Sequence, residues 1–145
     1  MATFDLRLPA GPCSHLVENV LFLCVLGWFA EQLLGRLSLF LIWLVTAVAG
    51  GLAELLFSRS VFIAYGASGI VHGLAGALSI ALLFRGVKTS WGARIGMVVL
   101  AAFIIFRVAG EWYLMHRIDA AHAGGLLAGL MLGSLLPLKS ARPET

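Results

Sequence analysis

Long blocks of apolar residues, broken only by short polar stretches, leave few folds open to this chain. The blocks are apolar all round, without the one-sided stripe of a helix on the surface of a soluble protein. A helix needs roughly 20 apolar residues to cross a bilayer. Charged residues are 12% of the 145 and hydrophobic ones 61%, where a soluble domain carries about 25% charged. The chain therefore reads as an all-α, polytopic membrane bundle whose backbone polar groups are satisfied within each segment.

About five spans are predicted, near residues 15–35, 37–57, 67–84, 95–115 and 119–136. Residues 1–13, with Pro9 and Pro12, form a leader, and 138–145 a polar tail beyond Pro137. A tight turn is expected at Gly35-Arg36, a loop over 58–66, and a basic loop carrying Arg85, Lys88 and Arg94. The whole chain reads as one domain. The far ends of spans one, three and five carry Arg36, Arg85, Lys88, Arg94, Lys139 and Arg142, against Arg7, Arg59 and Arg117 on the opposite side. The excess of Lys and Arg places the first set in the cytoplasm, with the N-terminus outside and the C-terminus inside. The net charge of +3 is too scattered for a nucleic-acid footprint. Cys13 and Cys24 are about 16 Å apart on a continuous helix, too far for a disulfide.

The polar residues inside the spans are not spread evenly. Spans one, three and five run the same way, and His15 and Asn19 open the first, Ser68 the third, His122 the fifth. These four share one depth just below the outer surface; on the even spans only Glu54 is expected at that depth. Ser68 sits between Gly66 and Gly69, at a helix start whose free N–H groups suit an oxyanion. It reads either as a nucleophile awaiting a base or as a helix cap. His122 heads a face of small residues, Gly125, Gly129 and Gly133, which lets another helix come close. The natural partner is span three, with Gly69, Gly73 and Gly76, and their packing would bring Ser68 and His122 within reach of each other. An ionisable group within a membrane segment is by default functional. His15 and Asn19 are one turn apart on one face and both can donate hydrogen bonds; alone they suit a structural role equally. His72, one turn below Ser68, either stacks on His122 or is a buried hydrogen-bonded residue. Arg107 and Glu111 are spaced to pair along one helix, and Glu31, before Gly35 at the cytoplasmic end, either caps a loop or pairs with a basic residue.

These residues together resemble the rhomboid intramembrane serine proteases. The likeness lies in His-x-x-x-Asn at His15 and Asn19, Gly-x-Ser-Gly at Gly66, Ser68 and Gly69, and Ala-His-x-x-Gly-x-x-x-Gly at Ala121, His122, Gly125 and Gly129, with Glu31 and Gly35 as a further pair. It covers nearly the whole chain and corresponds to the second to sixth spans of a six-span core. The family's first span and the following loop with its Trp-Arg motif are not among these residues: either an upstream start supplies them or this is a minimal form. The resemblance implies a Ser68–His122 dyad without a third acid, an oxyanion held by His15, Asn19 and the Ser68 N–H, and no metal or other cofactor. It implies an inner-membrane enzyme whose partners are the lipid bilayer and transmembrane-segment substrates. His72 stands where many members carry an aromatic residue, and Ser-Gly-x-x-His-Gly is similar to the rhombosortase branch. Two other readings compete: a catalytically silent relative that binds spanning helices, and a metal or proton transporter built on His15, His72 and His122.

Overall fold

The computed structural model describes residues 12–57, 67–85, 90–115 and 119–139. They form five helices: α1 (Pro12–Leu34), α2 (Arg36–Phe57), α3 (Ser68–Leu83), α4 (Trp91–Met115) and α5 (Ala120–Leu135). All five expected spans are present. The fourth begins earlier than expected, so Arg94 belongs to the first turn of α4 and not to the preceding loop. The loop expected at 58–66, with Arg59, and the positions of Arg7, Lys88, Arg117 and Arg142 lie outside the described residues.

The break between α1 and α2 is a single residue. Gly35 takes φ 85°, a left-handed conformation that only glycine adopts without strain. Its N–H still donates to the Glu31 carbonyl, while its own carbonyl already accepts from Leu39, the first bond of α2. Of the two readings of Glu31 the pairing with a basic residue is seen: the Arg36 Nε donates to its carboxylate at 2.6 Å across this corner.

Helix α3 is the centre of the bundle and packs against all four others. Every residue from Val71 to Leu78 is buried. Its contact with α5 is backbone on backbone. A Cβ at Gly125 would collide with the Gly69 carbonyl, one at Gly129 with the Gly73 carbonyl, and one at Gly133 would meet the Ala77 backbone. The constant offset makes α3 and α5 parallel. Helix α2 runs the other way: Gly50 lies against Gly69, and Thr46 against Gly73. Helix α4 is antiparallel to α1, with Gly96 against Phe29 and Phe103 against Phe22.

The C-terminal ends of α1, α3 and α5 are tied together. Arg85 donates to the carbonyls of Gly133 and Leu136, which terminate α5, and the Lys139 N–H donates to the Leu33 carbonyl at 2.7 Å. The first, third and fifth helices are thus co-directional, as the placement of polar groups requires. Around this core the outward surface is a mantle of exposed Leu, Val, Phe and Trp, including Trp28, Leu55, Phe57, Phe84 and Trp91. That mantle suits lipid, which solvates such side chains as well as a protein core does. Among the described residues two segments, Leu16–Leu34 and Arg36–Phe57, are long and apolar enough to cross a membrane. The 16-residue α3 and α5 rise about 24 Å, short of a ~30 Å hydrocarbon layer. Thr46 and Ser79 return their hydroxyls to the carbonyls of Ile42 and Ala75 on their own helices, so neither carries an unmet donor into the core.

Candidate active site

Ser68 is the first residue of α3, and the residue before it, Ala67, is the N-cap, with no side-chain capping bond. The cap reading of Ser68 therefore does not hold. The serine stands half-buried inside the first turn, where backbone N–H groups have no intrahelical partner. Gly69 is the point of closest approach here: a Cβ on it would stand 3.3 Å from the Ala121 carbonyl and 3.8 Å from the Cα of Gly50. Three helices, α2, α3 and α5, thus meet at backbone distance beside Ser68. Gly66 lies outside the described residues.

His122 is the third residue of α5 and is 8% exposed. Its helix has a proper cap. Asp119 sits in an extended conformation and its carboxylate accepts from the N–H of Ala121 at 2.8 Å and of His122 at 3.4 Å. The spacing of Asp119 to the first turn is a capping pattern, and a negative charge suits that helix end. This residue has no part in the motif reading, although the cap was legible from its position.

His72 fulfils both of its expected roles. Its ring stacks on His122, with 4.1 Å between centroids and 14° between planes, and its Nδ1 donates to the Ser68 carbonyl at 2.8 Å. The bond to an oxygen that only accepts places the hydrogen on Nδ1. His72 therefore touches the serine through its backbone and the second histidine through its ring. Asn19 is buried on α1. His15 belongs to the first turn of the same helix; its side chain lies outside the described residues.

One expectation about the neighbourhood is corrected. Arg107, on an even helix, stands at the depth of the site. Its guanidinium reaches across to the Glu18 carboxylate at 3.4 Å, one residue before Asn19. Among the even helices only Glu54 is expected there; the expected pairing of Arg107 with Glu111 lies outside the described residues, since the Glu111 side chain is not among them. The antiparallel α1–α4 crossing puts Arg107 opposite Glu18. The other residue the motifs do not mark is Phe103 of α4, buried and 5.4 Å from the His72 ring.

A parallel pair of glycine-faced helices, with a serine and stacked histidines at one end and an apolar mantle outside, defines a helical membrane protein that gathers its polar groups at one depth. The model of the Rhomboid domain matches residues 11–139, and the chain belongs to the rhomboid family. It is 32% identical over 119 residues to RHOMBOID-like protein 1 of Arabidopsis thaliana, covering 82% of this chain and 30% of that one. It is 30% identical over 129 residues to rhomboid protease GluP of Bacillus subtilis, covering 88% and 24%. Rhomboid protease GlpG of Photorhabdus laumondii is 30% identical over 118 residues, covering 81% and 41%. The chain thus spans well under half the length of these relatives. No solved structure gives a significant match.

Proposed function

We propose that this chain is an intramembrane serine endopeptidase that cleaves transmembrane segments of other membrane proteins near the outer face. The observation that carries the reading is the register of α3 against α5. Gly69 on Gly125 and Gly73 on Gly129, together with the His72–His122 stack, support a serine and an imidazole at one level of two parallel helices.

In this reading the Ser68 Oγ bonds to the scissile carbonyl carbon while its proton passes to His122. The carbonyl electron pair moves to oxygen, and His15, Asn19 and the Ser68 N–H hold that oxyanion. Collapse breaks the C–N bond, and His122 returns the proton to the departing amine. Water then repeats the sequence on the acyl-serine. A positioned base contributes ~10²–10⁴ in rate, and an oxyanion donor ~10²–10³. Preferred substrates are spanning segments with small, helix-breaking residues, since the bond must be extended to reach Ser68. The site opens outward, with the C-terminus in the cytoplasm of an inner-membrane protein.

The test is labelling of the detergent-purified protein with a fluorophosphonate probe. Wild type is expected to label, and Ser68→Ala and His122→Ala to remain folded without labelling. A folded wild type that does not label would favour the silent, helix-binding reading. Cleavage abolished by a chelator would favour a metal site instead.

A further inference from the structure

The His122 imidazole is one of four rings in a row. It stacks on His72 of α3. His72 lies 5.4 Å from Phe103 of α4, with the planes tilted by 56°. Phe103 in turn lies 4.2 Å from Phe22 of α1, tilted by 52°. Four helices each contribute one ring, and His72, Phe103 and His122 are all buried. We propose that Phe103 is a positioning residue for the general base and acts through His72. The proposal rests on the serine–histidine reading above.

The torsion that turns an imidazole about its Cβ–Cγ bond is soft and broad. His72 has one edge fixed, since its Nδ1 donates to the Ser68 carbonyl. Stacking on His122 and packing against Phe103 set the plane of the ring about that edge. Phe103 fills the space beside it, and Phe22 backs Phe103. Tilted and stacked ring pairs at such distances are favourable contacts in their own right, so the row holds position without carrying charge. Elsewhere α4 meets α1 through Gly96 on Phe29 and through the Arg107–Glu18 ion pair; Phe103 is where it enters the ring row. The angle at which His122 presents its nitrogen to Ser68 therefore depends on where α4 lies. A residue without a rigid face at 103 leaves His72 room to turn, and His122 then loses the plane it stacks on.

The experiment uses the full chain in detergent and the rate of fluorophosphonate labelling as a function of probe concentration. Wild-type labelling that Ser68→Ala abolishes is the entry condition; without it the serine–histidine reading fails, and this proposal with it. Given that labelling, Phe103→Leu is expected to lower the maximal labelling rate by about two- to tenfold, the size of one aromatic pair. The half-saturating probe concentration stays unchanged, and Phe103→Tyr restores the rate. In a His72→Ala background, Phe103→Leu is expected to change nothing further, because the two residues act as a unit. Should Phe103→Leu not fold, Phe103→Met, of similar bulk but flexible, carries the same comparison. Losses that multiply in the two backgrounds, or a lowered melting temperature with an unchanged labelling rate, would overturn the proposal and leave Phe103 as plain packing.

Discussion

A serine at the start of a helix is usually its cap, and here the cap is Ala67. That leaves the Ser68 hydroxyl free of the local role the sequence pattern offered it. At α5 the situation is reversed: the cap is Asp119, and the proposed base, His122, comes three residues later. Asp119→Ala is expected to cost about 0.5–2 kcal/mol of stability, read as a lowered midpoint of denaturant unfolding. Asp119→Asn and Asp119→Ser keep a capping oxygen and are expected to retain most of that stability. If Asn and Ser lose as much as Ala, the carboxylate is not acting as a cap. The polar residues of the proposed site, Ser68, His72, His122 and Asn19, stand out in the sequence because polar groups in apolar blocks are conspicuous. Phe103 was not, since one more aromatic ring in an apolar helix carries no local signal. The contact of Arg107 with Glu18 was not legible either, because the two lie 89 residues apart and only the crossing of α1 and α4 brings them together.

At the scale of the helices, glycine is read twice, with opposite outcomes. Gly125 and Gly129 leave no room for a Cβ, whereas nothing stands within 4 Å of where one would sit on Gly27. Gly129→Ala must push α3 and α5 apart, and overpacking of this kind costs typically ~1–3 kcal/mol. Gly27→Ala is expected to be neutral or to stabilise by up to ~1 kcal/mol, the helix propensity difference. Unfolding of both variants in mixed micelles measures the contrast; equal effects would mean that the glycine face is not the contact. Labelling of Ser68 is expected to fall in Gly129→Ala even where the protein stays folded, because a displaced α5 carries His122 with it. The helices themselves, and the pairing of the third with the fifth, were legible from block length and small-residue spacing. The start of α4 was not: Gly92 and Arg94 look like loop residues, yet helix continues through them.

Across the whole molecule the basic residues and the helix ends agree. Arg36, Arg85, Arg94 and Lys139 all stand at the end of the bundle where α1, α3 and α5 finish. A fluorescent reporter fused after Thr145 is expected to glow, and alkaline phosphatase at the same place to stay inactive; the opposite pair of results would invert the orientation. One consequence of the α3–α5 contact concerns time. Helix α3 is made third and α5 last of the five, so during synthesis the serine helix enters the membrane with its glycine face turned to lipid and with no histidine helix to meet. The proposed chemistry cannot begin while the ribosome is still at work on the preceding helices. On the proposed reading, the unfinished chain is thereby harmless to its neighbours in the translocation machinery until the final helix slots into place.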